Sequence, residues 1–267
     1  MKCLFRTWYT KDGERKRPMF NTIRTFSFLF GYLPISAVNL KKNIKQKSTL
    51  SVKEYDQLIH TEPQKWAAGI MKRTKSTVTI AGLDKLPDGP VLFVSNHEGN
   101  FDIPTLLSTI PKPFGFISKK EVNKFPIIPM YMKEMNCVFL DRTDRRSALK
   151  SITDTIEKLK EGHSILIFPE GTRSKGQSMG EFKAGFMRIA KDADVPILPV
   201  AIHGTSDIME KNNNKVKAAT VTVQLLDPVS VDVLKDMKPK EAIAVIHTQI
   251  EEAVSAMSAE KQRNNDN

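Results

Sequence analysis

The chain has 267 residues, of which 40% are hydrophobic, and carries a formal net charge of +11. This length allows one large domain, or one domain with an appendage, and the apolar content excludes a disordered chain. The two cysteines, Cys3 and Cys137, lie far apart and form no CxxC pattern. That argues against a disulfide framework or a structural zinc site and is typical of a reducing compartment.

The positive charge is concentrated in the first quarter of the chain. Residues 1–75 contain 16 Lys and Arg against 5 Asp and Glu, whereas residues 76–267 contain 25 residues of each sign. A basic segment can meet either nucleic acid or an anionic membrane surface. The residues that surround these charges decide between the two.

An apolar stretch, TFSFLFGYLPISAV (Thr25–Val38), lies within this basic segment and is interrupted by Gly31 and Pro34. A membrane-spanning helix needs about 20 apolar residues, so this stretch is too short and too broken to span a bilayer. Its aromatic and leucine side chains favour a segment that lies in the membrane interface. The alternative is a helical hairpin packed on its own domain. Nucleic-acid binding is disfavoured, because the aromatic residues cluster apart from the basic ones.

From residue 76, short apolar runs alternate with amphipathic stretches. The pattern predicts strands at Thr77–Gly82, Val91–Asn96, Phe114–Ser118, Cys137–Leu140, Ser164–Phe168, Ile197–Ile202 and Thr220–Leu226. It predicts helices at about residues 145–162, 183–193 and 240–257, followed by a polar tail that frays. We therefore predict a basic, membrane-associating helical segment over residues 1–75 and an α/β domain over residues 76–267, with a mainly parallel central sheet flanked by helices.

The sequence NHEGNFD places His97 and Asp102 just after a predicted buried strand. A carboxylate at this spacing can fix the imidazole tautomer and stabilise the imidazolium, as the acid does in a serine-hydrolase triad. No GxSxG occurs in the chain, so a catalytic pair would act on a nucleophile that the substrate brings, for example a hydroxyl. Taken alone, the spacing slightly favours an Asp102 that caps the next helix beside a structural His97.

A second polar block, FPEGTRS, follows the predicted strand at Ser164–Phe168. The carboxyl end of a strand is where α/β folds usually bind ligands. Gly171 lets the backbone approach a ligand closely, and the planar fork of Arg173 suits phosphate oxygens. The alternative is a surface turn with a solvated arginine. A metal site is disfavoured, because no His or Asp stands at ligand spacing from Glu170.

Two more blocks complete a series, VFLDR at residues 138–142 and VPILPV at residues 195–200. In order and spacing, the four blocks resemble the glycerolipid acyltransferases of the 1-acylglycerol-3-phosphate acyltransferase (PlsC-like) family. That family carries NHxxxxD, a hydrophobic pair followed by Asp-Arg, FPEGTRS and VPIxPV. The resemblance extends over about residues 77–204.

The resemblance implies that His97 is a general base and that Asp102 orients it. The base takes a proton from the free hydroxyl of a lysophospholipid while that oxygen attacks an acyl thioester. The substrate-binding residues implied in the same way are Glu170, Gly171, Thr172, Arg173, Arg142, Lys119 and Lys120. No metal and no organic cofactor is implied, because the donor, acyl-CoA or acyl-ACP, already carries an activated acyl group.

The reaction implied is acylation of the sn-2 hydroxyl of 1-acyl-sn-glycerol-3-phosphate (lysophosphatidic acid) to phosphatidate, in phospholipid biosynthesis. The expected partners are these substrates and the cytoplasmic face of the cell membrane. Acyl carrier protein is a further partner if the donor is acyl-ACP, and no nucleic-acid partner is expected. One alternative is an acyltransferase whose acceptor is another lyso-lipid or glycerol-3-phosphate. The other alternative is a non-catalytic lipid-binding membrane protein. Two positions depart from the family pattern: Glu98, whose charge would repel a nearby phosphate, and Asn136, where a glycine is usual.

Overall fold

A computed structural model describes residues 11–141 and 143–266 of the chain. The α-helices in these residues are α1 (Lys11–Ile44), α2 (Val52–Thr74), α3 (Asp102–Thr109), α4 (Ile128–Glu134), α5 (Arg145–Lys160), α6 (Gly185–Ala193), α7 (Val231–Asp236) and α8 (Pro239–Asp266). The β-strands are β1 (Thr77–Ala81), β2 (Leu92–Ser95), β3 (Gly115–Lys119), β4 (Val138–Leu140), β5 (Ile165–Ile167), β6 (Ile197–His203) and β7 (Thr220–Leu225).

The strands form one sheet in the order β1-β7-β6-β2-β5-β3-β4. The five strands from β6 to β4 run parallel to one another. Strand β7 is antiparallel to β6, and β1 is parallel to β7. Helices supply crossovers between parallel strands, which a short turn cannot connect. The predicted fold class, a mainly parallel sheet flanked by helices, is confirmed.

The inner strands are buried on both faces of the sheet. Every residue of β2 is buried, and so is β6 from Ile197 to Ile202. Such continuous apolar strands are expected where helices cover a parallel sheet on both sides. Phe93 and Phe114 belong to the core on the face that α2 and α3 cover, whereas Phe186 belongs to the core on the other face. The two cores fix β2 and β5, whose carboxyl ends carry the polar blocks.

Helix α1 runs without a break through Gly31 and Pro34, which interrupt the apolar stretch but not the helix. A proline inside a helix removes one backbone hydrogen bond. Packing offsets this loss, because Leu33, Ser36 and Leu40 are buried where α1 packs on α2. Among the residues described, no helix is at once long enough and apolar enough to cross a membrane.

Helix α2 shares the core of the sheet. It starts in a capping box, in which Ser51 Oγ accepts from Glu54 N at 3.3 Å and the Glu54 carboxylate accepts from Ser51 N at 2.9 Å. Its buried side chains include Ile59 and Ile70, and its buried His60 bonds through Nε2 to the backbone of Phe114. Helices α1 and α2 therefore form a hairpin joined to the sheet, while its association with a membrane stays a prediction.

The C-terminal part differs from the sequence expectation in two places. The short helix α7 was not predicted; Ser230 caps it by accepting from Val233 N at 3.4 Å. Helix α8 continues to Asp266, through most of the polar tail from Glu260 that the sequence predicted to fray. Buried Ile246, Ile250 and Met257 hold α8 against the core, so the polar turns beyond them extend a helix that is already formed.

Candidate active site

His97 and Asp102 lie at the carboxyl end of β2, and the structure brings their side chains together. Nδ1 of His97 is 2.5 Å from Oδ2 of Asp102. The imidazole is partly accessible, at 18% of its surface, whereas the carboxylate is fully buried. The ring of Phe168 stacks on the imidazole at 4.0 Å between centroids and 14° between planes. Because Nδ1 faces the carboxylate, Nε2 is the ring nitrogen left to take a proton.

Asp102 does not cap helix α3, which excludes the alternative that the spacing alone had favoured. Phe101 occupies the N-cap position, and no side chain caps the helix there. Instead, the Asp102 carboxylate accepts from Glu98 N at 2.8 Å and from Gly99 N at 3.1 and 3.2 Å. These bonds tie the carboxylate to the loop that carries His97. They stabilise its negative charge next to the imidazole.

The FPEGTRS loop docks directly on the histidine loop. Ser174 N donates to His97 O at 2.8 Å, and Lys175 N donates to Glu98 O at 2.9 Å. The buried Glu170 carboxylate accepts from His97 N at 2.7 Å and from Gly180 N at 2.8 Å. Burial raises the pKa of Glu170, although these two bonds oppose the shift. Glu170 therefore fastens the two loops together.

A cavity of about 570 Å³ opens beside His97. Its lining includes three cationic side chains, Lys119, Arg173 and Lys183, together with Gly171. The rest is mostly apolar and includes Ile103, Phe116, Leu140, Ile152, Ile167, Phe168, Phe186 and Ile189. A smaller cavity of about 90 Å³ shares Ile103 and Phe116 and extends between apolar side chains of α1, α2 and α4, among them Leu33, Trp66, Tyr131 and Met132. Cationic and apolar surfaces thus meet at one histidine.

The predicted substrate-binding residues fall into two groups. Gly171, Arg173 and Lys119 line the cavity, while Glu170, Thr172 and Lys120 are absent from its lining. Lys120 forms an ion pair with Asp141. That pair, first through its hydrogen bond, lowers the pKa of the Asp141 carboxyl to about 2. Arg142 lies outside the described residues. The roles assigned to all these residues stay predictions.

Glu98 points away from the cavity and into the protein. Its carboxylate accepts from Gly204 N at 2.9 Å and lies 3.2 Å from His203 Nδ1. Burial alone would raise the pKa of Glu98, but the bonds from His203, Ser206 and Gly204 outweigh burial and lower it. Glu98 therefore joins the loop after β2 to the loop after β6, and a phosphate in the cavity would not meet its charge.

Asn136 adopts a backbone conformation that explains its departure from the family pattern. Its φ is 61°, in the left-handed region where glycine is the default and asparagine is the commonest substitute. Its amide donates to Asp56 Oδ1 at 3.3 Å and lies 3.0 Å from His163 Nδ1. The position lies before β4, at the opposite end of the sheet from His97.

Three residues at the site were missed from the sequence. Lys183 lines the cavity, and a methyl group on Gly171 would lie 2.8 Å from its Nζ, so glycine leaves room for the ammonium group. Glu210 accepts from Asn100 N at 2.7 Å and lies 3.7 Å from Arg173 NH1. Thr205 donates to Asp102 Oδ1. No local pattern marks Thr205 or Glu210, which are more than 100 residues from the pair in sequence.

The structure offers no obvious metal centre in the residues it describes. Within residues 11–141 and 143–266, no group of three or more His, Cys, Asp or Glu side chains has the geometry of a metal site. The expectation that the site uses neither a metal nor an organic cofactor stays a prediction.

Comparison with known proteins gives a consistent result. The family model described as Acyltransferase matches residues 77–203. The chloroplastic 1-acyl-sn-glycerol-3-phosphate acyltransferase LPAT1 of Arabidopsis thaliana is 43% identical over 134 residues, which are 49% of this chain and 37% of that protein. The 1-acyl-sn-glycerol-3-phosphate acyltransferase of Salmonella typhimurium is 29% identical over 64% of this chain and 70% of its own. The chain thus spans well under two thirds of the Arabidopsis relative.

A solved structure extends the likeness beyond the matched region. The crystal structure of the 1-acyl-sn-glycerophosphate (LPA) acyltransferase PlsC from Thermotoga maritima superposes with a TM-score of 0.80 at 26% sequence identity. The superposition covers 92% of this chain and 98% of that one. The likeness therefore takes in more of the chain than residues 77–203.

Proposed function

We propose that this chain, which matches the Acyltransferase family model over residues 77–203 and superposes on the PlsC structure from Thermotoga maritima over 92% of its length, moves a fatty acyl group from an acyl thioester to the sn-2 hydroxyl of 1-acyl-sn-glycerol-3-phosphate, forming phosphatidate. The observation that carries the proposal is the His97–Asp102 pair beside a cavity with both cationic and apolar walls. An acceptor of this kind has a phosphate, a free hydroxyl and an acyl chain. The cavity has a counterpart for each of these groups.

The reaction proceeds by general-base catalysis. His97 Nε2 takes the proton from the acceptor hydroxyl as its oxygen attacks the thioester carbonyl carbon. The tetrahedral intermediate collapses with cleavage of the C–S bond, and the imidazolium returns the proton to the departing thiolate. Asp102 keeps Nδ1 protonated, holds the ring in orientation and stabilises the imidazolium. The proton balance closes without a further reactant.

The phosphate of the acceptor is bound by Arg173 and by the ammonium groups of Lys119 and Lys183, which share the cavity with His97. Charge-assisted bonds of this kind are roughly twice as strong as neutral ones. Glu210 and Asn100 hold the guanidinium of Arg173 through contacts within the protein. This pre-arranges the fork before the phosphate arrives and lowers the cost of ordering it.

The acyl chains are accommodated by the apolar part of the lining. Ile103 and Phe116 stand between the large cavity and the small apolar one, so together the two give a continuous apolar wall from His97 towards α1 and α2. The donor is acyl-CoA or acyl-ACP. Its thioester supplies the activated acyl group, so the proposed reaction needs no metal or organic cofactor.

The lipid substrates are reached through helix α1, which lies on the cytoplasmic face of the cell membrane. One face of α1 packs on α2, while the opposite face exposes large apolar side chains: Phe20 (65%), Ile23 (59%), Phe30 (48%), Ile35 (71%) and Val38 (70%). We call this face the apolar stripe. Lys41 and Lys42 follow it in the last turn and suit anionic lipid headgroups.

The activity is tested with purified full-length protein, one labelled acyl thioester and a panel of acceptors. The panel contains lysophosphatidic acid, the matching monoacylglycerol without phosphate, glycerol-3-phosphate and lysophosphatidylcholine. We expect labelled phosphatidate as the main product and its loss in His97→Ala. Acylation of monoacylglycerol at the same rate would remove the phosphate from recognition, and no product with any acceptor would overturn the proposal.

Membrane attachment is tested by flotation with vesicles that contain phosphatidylglycerol. We expect Phe20→Ser combined with Phe30→Ser and Ile35→Ser to release the protein, because each change removes apolar area from the interface. The matched control replaces three exposed apolar residues on other helices by serine, namely Leu149, Val233 and Val245. Equal flotation of the stripe variant and the control would contradict the assignment.

A further inference from the structure

The loop that follows β6 contacts the histidine loop through one buried carboxylate. Gly204 has a φ of 96°, and a methyl group there would lie 2.2 Å from Thr220 O, so only glycine fits. Glu98 Oε2 accepts from Gly204 N at 2.9 Å and lies 3.4 Å from Ser206 N. These bonds fix the turn that carries the next residue, Thr205. Residues 204–206 lie just beyond the region that matches the family.

The Thr205 side chain ends between two carboxylates. Its hydroxyl bonds to Asp102 Oδ1, and its oxygen is also 3.3 Å from Glu98 Oε2. Thr205 and Asp102 are both fully buried. A hydroxyl has one proton to donate, and the shorter contact indicates that Thr205 donates its hydrogen bond to Asp102. The Glu98 carboxylate accepts hydrogen bonds instead from backbone N–H groups and from His203.

The bond from Thr205 reaches the Asp102 oxygen that His97 does not use. Oδ2 accepts from His97 Nδ1, from Glu98 N and, at 3.1 Å, from Gly99 N. Oδ1 accepts from Thr205, and otherwise only from Gly99 N at 3.2 Å among the described residues. A carboxylate held at both oxygens cannot rotate about its terminal bond without breaking a bond to a charged acceptor, which is expensive in a buried site.

We propose that Thr205 is a positioning residue, which fixes the carboxylate plane of Asp102 and so aims the His97 imidazole at the acceptor hydroxyl. Glu98 acts one step further out, by holding the Gly204–Ser206 turn in place. Thr205 is fully buried and is not among the residues that line the cavity. The inference rests on the proposed acyl transfer for its kinetic effect, although the hydrogen-bond geometry that it describes exists without substrate.

The kinetic test compares three variants of the full chain. Thr205→Val keeps the shape and removes the hydroxyl; we expect kcat to fall about 10- to 100-fold, the effect of losing one bond to a charged group, with KM for lysophosphatidic acid unchanged. Thr205→Ser restores most of the rate. The control is Thr155→Val, because Thr155 is also fully buried and its hydroxyl donates to Ser151 O within α5; its kcat stays at the wild-type value.

A second measurement separates this inference from the proposed function. The His97 Nδ1 proton, assigned by its absence in His97→Ala, is followed by proton NMR without substrate. We expect its resonance to shift or broaden in Thr205→Val and to return in Thr205→Ser. If Thr205→Val does not fold, Thr205→Ala takes its place. An unchanged resonance and an unchanged kcat in Thr205→Val overturn the inference. If the wild-type protein acylates no lyso-lipid, the proposed function is overturned, and the NMR result alone then tests the role of Thr205.

Discussion

Among the described residues, two histidine–aspartate pairs lie at opposite ends of the sheet. At the carboxyl end of β2, His97 Nδ1 lies 2.5 Å from Asp102; before β5, His163 Nδ1 lies 2.7 Å from Asp56 on α2. The imidazoles have similar exposure, 18% and 12%. By pair geometry alone, the two would be equal candidates for acid–base chemistry.

Their surroundings separate them. His97 lines a cavity with three cationic side chains, whereas His163 has Asn136 at 3.0 Å from Nδ1 and Glu161 at 3.8 Å from Nε2. The first pair has a ring nitrogen that faces open space; the second links α2 to the strands it packs on. Whether a histidine–aspartate pair is a candidate catalyst therefore depends on the surroundings of Nε2, the ring nitrogen that does not bond to the aspartate.

The sharpest test of this comparison is alanine substitution in each pair. We expect His97→Ala to lower kcat about 10²- to 10⁴-fold, the value of a positioned base, without lowering Tm. His163→Ala should lower Tm and leave kcat at the wild-type value. Steady-state kinetics and thermal unfolding of both variants check this. Similar kinetic losses in the two would abolish the distinction.

The cationic lining should matter next. Without Arg173 or Lys183 the phosphate loses a charged partner, so we expect Arg173→Ala and Lys183→Ala each to raise KM for lysophosphatidic acid about 10- to 100-fold. KM for the same lipid without phosphate should not change. The control is Arg188→Ala, because Arg188 is exposed and pairs with Asp192 at 3.2 Å on its own helix. A KM that stays constant in Lys183→Ala would remove this lysine from the phosphate site.

The His163–Asp56 pair should contribute to the free energy of unfolding. Asp56→Ala leaves His163 and Asn136 without a buried acceptor, which costs about 1–3 kcal/mol. We expect the free energy of unfolding in urea to fall by this amount while kcat is preserved. The control is Asp192→Ala, which removes an exposed ion-pair partner and should change the free energy of unfolding by less than about 0.5 kcal/mol. A lower kcat in Asp56→Ala would show that the His163–Asp56 pair affects catalysis at the opposite end of the sheet, and it would contradict a purely structural role for this pair.

The smallest expected effect is the pH dependence that Glu98 contributes. Its bonds to His203, Ser206 and Gly204 outweigh burial and hold its pKa below the ordinary value of 4.5. A depressed carboxyl pKa adds stability above that value and loses it as pH falls through the folded-state pKa. We therefore expect wild type to exceed Glu98→Gln in stability at neutral pH, and the difference to shrink below pH 4.5. A difference that is independent of pH would contradict a charged Glu98.

Much of the fold follows from local sequence pattern. Apolar runs bounded by turn residues predicted all seven strands in the described residues to within about two residues of each end, because inner strands buried on both sides read as continuous apolar runs. Helix α1 was harder: Gly31 and Pro34 argue locally for a break, and only its packing on α2 outweighs them.

The site was only partly predictable for a related reason. His97, Asp102 and Arg173 lie in compact blocks at strand ends, and the order and spacing of four such blocks, rather than any one block, singled them out. Thr205, Lys183 and Glu98 depend on how three loops meet, and Glu98 looked like a repelling charge until its partners at residues 203–206 were known. Long-range loop contacts leave no periodic trace in the sequence.

Helix α1 precedes every strand of the sheet in the chain, and this order has a consequence for synthesis. Domains form from the N-terminus as the chain leaves the ribosome, at about 5–20 residues per second. The apolar stripe and its flanking lysines emerge first, whereas the buried face of α2 waits for α3 and for Phe114, which lies 54 residues after its partner His60. For several seconds the nascent chain exposes both faces of the hairpin. With the membrane attachment proposed for α1, translating ribosomes are expected to bring this protein to the bilayer before its sheet exists.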